Sequence, residues 1–178
     1  MRPTVLTYNP ARQLLAWSEG TSSNSIYLAS LGKSNWAAGR RIELTNDVPG
    51  LVPFRFSEDG KYLAALTRGG DSLRSWNVET GQILASVGGL IGDATFAAGG
   101  RVLVVALNHG NDHEIVFFDL THPDRPPRRV SGRKPSWWLA VSHDGGLVAA
   151  STVGGEVRLF DPATGELIES LHGHLNAI

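Results

Sequence analysis

Gly155-Glu156-Val157-Arg158-Leu159-Phe160-Asp161, followed directly by Pro162-Ala163-Thr164-Gly165, ends a short apolar run on an aromatic–acid pair and then turns the chain. The same arrangement stands twice upstream. Leu73 to Trp76 closes on Trp76-Asn77, and Ile115 to Phe118 closes on Phe118-Asp119. The aromatic members are 42 residues apart, then 42 again. Thr80-Gly81 follows Trp76 at the offset at which Thr164-Gly165 follows Phe160. A glycine at that point can take the positive φ that a tight turn demands. A constant period of this length marks a repeat architecture, which takes precedence over other sequence signals.

A second turn precedes each pair, between two apolar runs. It reads Ser57-Glu58-Asp59-Gly60-Lys61, then Ala97-Ala98-Gly99-Gly100-Arg101, then Ser142-His143-Asp144-Gly145-Gly146. Asp-Gly between β-rich segments is a strong hairpin signal. From the turn glycine to the aromatic is 16, 18 and 15 residues. The first stretch fits more loosely. Asn9-Pro10-Ala11-Arg12-Gln13 takes the place of the hairpin turn, Tyr27 is aligned with the aromatics, and a longer loop is placed around Gly32 to Arg40.

Four units result, running over 1–49, 50–89, 90–136 and 137–173, with 174–178 opening a fifth. Each holds four strand-like runs, in the last unit Trp138–Ser142, Leu147–Thr152, Val157–Asp161 and Leu167–Leu171. Their residues are β-branched, aromatic or leucine, and the Gly/Pro/Asp punctuation leaves little room for a helix. Four short antiparallel strands in every forty-odd residues is the signature of a β-propeller blade. The expected fold is therefore all-β, about four blades of four antiparallel strands in an incomplete ring. Val102–Leu107 is apolar throughout rather than alternating, as a strand covered on both faces would be.

Ser57-Glu58-Asp59-Gly60-Lys61-Tyr62-Leu63-Ala64, Gly155 to Asp161 and the closing Leu171-His172-Gly173-His174 resemble blades of the WD-repeat family. Gly173-His174 matches the Gly-His that opens such a repeat, and Phe160-Asp161 sits where the Trp-Asp pair closes one. The resemblance implies a propeller, commonly of about seven blades, that acts as a non-catalytic scaffold for protein complexes. Many family blades carry a hydrogen-bonded network using an Asp before the third strand. Here Gly70 and Gly154 hold those positions and only Asp112 keeps the acid. The blades are accordingly expected to rest on apolar packing.

Repeat units bury their faces against neighbours, so an unfinished end exposes apolar surface that seeks a partner. Three arrangements are open: a portion of a longer propeller, which the trailing strand at 174–178 favours, two copies pairing into eight blades, or a small closed ring. The partners expected are proteins, including further blades or a second copy. Net charge is −1, from 16 basic and 17 acidic residues, which gives no global pull toward nucleic acid or anionic membranes. There is no cysteine, so disulfides, thiolate metal sites and cysteine nucleophiles are excluded. No apolar run approaches the ~18 residues of a membrane span, and the start, Met1-Arg2-Pro3-Thr4, lacks a secretory core. A cytoplasmic protein is expected.

Chemistry is sparse. Gly70-Asp71-Ser72-Leu73 spells the motif of GDSL-type hydrolases, and Asp119-Leu120-Thr121-His122 supplies an Asp and a His. A Ser/His/Asp set can activate a serine, but Ser72 falls in a hairpin between repeat strands. His109, Asp112 and His113 lie within five residues and are ligand types for zinc-like ions, in what reads as a solvated loop. No cofactor, metal or catalytic residue is expected. Arg125-Pro126-Pro127-Arg128-Arg129, continuing to Arg133-Lys134, is the one concentrated basic stretch. The residues expected to bind a protein partner are Trp36, Arg133, Lys134 and Trp137, because exposed aromatics and guanidinium groups anchor interfaces. A regulatory or sensory propeller segment of a multidomain signalling protein is the alternative function.

Overall fold

Sixteen strands form four four-stranded antiparallel sheets in the computed structural model, which describes residues 3–19, 25–30, 42–45, 50–109, 112–132, 134 and 136–173. The first sheet is β1 (Pro3–Asn9), β2 (Leu14–Glu19), β3 (Ser25–Ser30) and β4 (Ile42–Thr45). The second is β5 (Leu51–Phe56), β6 (Tyr62–Thr67), β7 (Ser72–Asn77) and β8 (Ile83–Gly88). The third is β9 (Leu90–Ala97), β10 (Val102–His109), β11 (Asp112–Asp119) and β12 (Arg128–Gly132). The fourth is β13 (Ser136–Val141), β14 (Val148–Thr152), β15 (Glu156–Phe160) and β16 (Leu167–His172). Within each sheet the strands lie side by side in sequence order, the meander of a propeller blade. The residues divide into two compact units, Met1–Val87 and Gly88–Ile178.

The hairpin turns explain why the repeat carries its polar residues. Gly60 N–H donates to Ser57 O at 2.9 Å and Gly145 N–H to Ser142 O at 2.8 Å, each glycine sitting in the left-handed region. In both turns the serine hydroxyl accepts an N–H from the start of the next strand, Tyr62 at 3.0 Å and Leu147 at 2.9 Å. It also donates to the turn's own aspartate, Asp59 and Asp144 respectively. The second member of each aromatic–polar pair closes the turn before the outermost strand. Asn77 Oδ1 accepts from Glu79 and Thr80 N–H, and Asp161 Oδ1 from Ala163 and Thr164 N–H, as Asx turns do. The aromatic member points inward: Trp76 and Phe160 are fully buried and Phe118 nearly so.

In the first unit, Ala16, Ile26 and Leu28 of the first sheet pack against Leu51, Leu63, Ala65 and Trp76 of the second. Burying a side chain of leucine size stabilises by roughly 1.5–3 kcal/mol, so this dry seam outweighs its few polar contacts. Asn9 adds a polar tie, donating through Nδ2 to Ser57 O at 2.9 Å and Glu58 O at 3.1 Å. In the second unit, Val104, Ala106, Ile115 and Phe117 meet Leu139, Val148, Ala150 and Phe160. The rings of Phe117 and Phe160 lie 5.8 Å apart. The tie between adjacent turns is here a backbone one, Ala98 N–H to Gly145 O at 2.9 Å. Val102–Leu107 is buried along its whole length, as its unbroken apolar run implies.

One alignment made from the sequence is corrected by register. Trp76 lies opposite Leu63, Phe118 opposite Leu103 and Phe160 opposite Val148, each three residues after its turn glycine. In the first sheet Gln13 holds the turn position of those glycines, so the position of the same rank is Ala16, and its partner is Leu28, not Tyr27. Tyr27 instead faces Trp17, with ring centroids 5.7 Å apart. Tyr27 stands one position before Leu28 and so lies on the opposite face of the strand, because side chains alternate.

Candidate functional site

The residues of the serine, aspartate and histidine set serve local turns. Ser72 opens β7 in the first unit, and its N–H donates to Thr67 Oγ1 at 3.1 Å, which closes the β6–β7 hairpin. Asp119 and His122 belong to the second unit and to one turn, with Asp119 Oδ2 3.0 Å from His122 Nδ1. Thr121 donates both its N–H, at 3.0 Å, and its hydroxyl to Asp119 Oδ1. This aspartate therefore does the turn-closing work of Asn77 and Asp161.

Asp119 also makes stability depend on pH. Partial burial opposes its ionisation, but hydrogen bonds from the Thr121 hydroxyl, the His122 ring and the Thr121 amide lower its pKa to about 2. The folded value lies below the unfolded one. The stabilisation is therefore complete above the unfolded value of 3.8 and lost as pH falls toward 2. Discounted for solvent screening at this part-exposed turn, it amounts to about 1 kcal/mol. In urea unfolding, Asp119→Asn is expected to be less stable than wild type by that amount at pH 7 and equal to it near pH 2. A gap that persists at pH 2 would rule out the carboxylate's charge as its origin.

Along the β10–β11 ladder His109 is paired with Asp112, and Asn108 with His113. The side chains of His109 and Asp112 lie outside the described set. His113 Nδ1 lies 3.1 Å from Asn108 Oδ1, and Asn108 Nδ2 donates to Ser136 O at 3.2 Å. Among the described residues no group of three or more His, Cys, Asp or Glu could hold a metal ion.

Of the residues expected to bind a partner, Trp36 and Arg133 lie outside the described residues, as do 174–178. Trp137 lies within β13, and its side chain is outside the described set. The exposed aromatic beside it is Trp138, 64% accessible. It shares one face of the fourth sheet with Ala140, Ala149 and Leu159, by the cross-strand pairs Ala140–Ala149 and Ala149–Leu159. The opposite face, through Leu139, Val148 and Phe160, is the dry seam of the second unit. Beside buried Leu139, position 138 is turned outward, and no sequence signal separates the tandem tryptophans. The first sheet likewise bears exposed Leu6 and Tyr8, paired across to Trp17 and Leu15 on the face away from its core.

Lys134 is exposed and lies in a cleft of about 350 Å³ between the outer strand of the third sheet and the fourth sheet. Arg158 and Glu156 of β15, Thr152 of β14, Ser131 of β12 and Ser170 of β16 line it. The rest of the basic stretch does not contribute equally, since Arg129 Nη1 is paired with Glu114 Oε2 at 2.5 Å. A second hollow of the same unit, about 540 Å³, lies among the hairpin turns and includes Arg101, Asp144 and Asp161. Its polar groups are engaged locally: Arg101 Nε donates to Ala98 O at 3.0 Å, and the two aspartates cap their own turns. Hydrogen bonds from the Ser142 hydroxyl and the Gly146 N–H hold the Asp144 carboxyl below its ordinary pKa. The Lys134 cleft is the one with polar groups to offer.

No family model and no curated protein matches the sequence. The structure is similar to the β-propeller domain of Cps50 (Swd1) from Myceliophteria thermophila, with a TM-score of 0.67 and 17% sequence identity. The similarity covers 99% of this chain and 57% of that one, so the chain spans little more than half the length of the propeller it matches. The shared property is the fold. Among the described residues no helix is long and apolar enough to cross a membrane.

Proposed function

We propose that this chain is part of a WD-repeat type propeller that works without catalysis or cofactor, in the cytoplasm, as a rigid surface for binding other proteins. One observation carries the reading. The fourth sheet has two apolar faces, of which one is buried in the core of the second unit and the other, with Trp138, is open to solvent. A rigid aromatic on a fixed sheet is the residue type that dominates protein interfaces, because it buries a large area at little entropic cost. The partners that match such a face are further blades of the same propeller or a second copy of the chain. The partial span of the solved propeller favours a segment of a larger ring.

Sedimentation velocity on wild type and Trp138→Glu tests this. The wild-type chain is expected to associate reversibly, and the variant to sediment as monomer at the same concentration with an unchanged Tm. An equally associated variant would remove this face from the account.

A further inference from the structure

Two bare stretches of backbone make the Lys134 cleft. A Cβ on Gly154 would collide with Lys134 Nζ, and one on Gly132 would fall 2.7 Å from Arg158 Nη1. Each cation thus lies over a glycine of the adjoining strand or turn, and the two converge, Lys134 from the connection between β12 and β13 and Arg158 from β15, although 24 residues apart in sequence. Arg158 is further steadied by the Phe160 ring, whose centroid is 5.1 Å from its Cζ. Neither cation has a carboxylate within 4.0 Å among the described residues. Glu156 shares the cleft without pairing to either, so two positive groups and one negative leave a net charge of +1.

We propose that this cleft binds a single carboxylate side chain, an Asp or Glu of an acidic peptide segment in a protein partner. A carboxylate brings one negative charge and balances the cleft. A phosphoryl group brings about −1.5 to −2 and would leave an excess facing Glu156. The Arg158 guanidinium offers the planar fork that a carboxylate accepts in bidentate fashion, and Lys134 adds a point charge from the other wall. Ser131, Thr152 and Ser170 place hydroxyls around the same space. The volume, about 350 Å³, lies at the low end of small-ligand pockets, which suits a side chain better than a folded element. The inference rests on the protein-binding reading for the source of the carboxylate. The two fail separately, since association through Trp138 does not involve Lys134 or Arg158.

The test is titration of the ¹⁵N-labelled chain with an acetylated, amidated hexaglutamate peptide at low salt. Hexaglutamine, a phosphoserine peptide, inorganic phosphate and a short single-stranded oligonucleotide serve as competitors. Hexaglutamate is expected to shift the amides of Gly132, Gly154 and Glu156 and hexaglutamine to leave them unmoved. Lys134→Ala with Arg158→Gln should weaken binding about tenfold or more, while the Tm stays put. Gly154→Ala keeps every charge but dislodges the Lys134 ammonium, and should weaken binding by several-fold with the fold intact. Shifts scattered over the surface, or binding unchanged in both variants, would overturn the proposal in favour of diffuse electrostatics. Tighter binding of phosphate or phosphoserine, or of the oligonucleotide, would overturn the carboxylate assignment.

Discussion

Trp76→Ala is expected to destabilise the first unit by about 3–5 kcal/mol, the largest effect of any single substitution considered. Trp76 is fully buried and packs at the centre of the seam with Leu63, Ala65, Ile26 and Leu28. Strand pairing fixes Leu63 opposite it, so the surroundings can collapse only partly into the space left. Total stability of a domain is typically 5–15 kcal/mol, so the loss would unfold a marginal unit. Trp76→Phe separates packing from polarity. The Trp76 indole N–H is buried and has no hydrogen-bond partner among the described residues, so phenylalanine removes an unsatisfied donor along with some volume. Its cost is expected to be about 1 kcal/mol. Urea unfolding of both variants checks the pair. An alanine variant within 1 kcal/mol of wild type would mean that the seam is not the core.

Gly145→Ala comes next, with an expected cost of about 2 kcal/mol, part from left-handed backbone and part from crowding. Gly145 has φ +73°, and an added Cβ would stand 3.2 Å from the backbone nitrogens of Ala98 and Gly99 in the neighbouring turn. Those atoms belong to a turn held by the Ala98-to-Gly145 hydrogen bond and cannot swing aside as a side-chain end would. Gly99→Ala is the internal control. Its φ is +64°, yet nothing lies within 4 Å of the added Cβ, so it should show the backbone cost alone, about 1 kcal/mol. Equal losses in the two variants would mean that the turns of the third and fourth sheets do not press on each other.

These two residues were legible in the sequence for physical reasons. The aromatic–polar pair recurs because one member must fill a seam and the other must cap a turn. Trp76-Asn77 and Phe160-Asp161 do both. The turn glycines recur because only glycine takes left-handed backbone cheaply beside a neighbouring turn. The first sheet was harder to read because Gln13 stands where the other turns carry glycine, and because an aromatic, Tyr27, lies one position before the register-equivalent Leu28. The cleft was half legible. Lys134 stands in a visible basic stretch, but its companion Arg158 lies inside the repeat motif, where an alternating strand residue attracts no notice. Only the pairing of β15 with its neighbours and the two bare glycines bring the cations together. Nothing in the sequence sets Trp138 apart from its neighbour, and its exposure beside buried Leu139 is a finding of the structure.

The central claim is that the apolar sheet faces left open in each unit are binding surfaces. The solution mass of the purified 178-residue chain, measured by light scattering across a dilution series, tests it most directly. The expected result is a mass above that of one chain at high concentration, falling toward it on dilution. A strict monomer at every concentration, up to hundreds of micromolar, would contradict the claim and leave the Trp138 face as ordinary solvated surface.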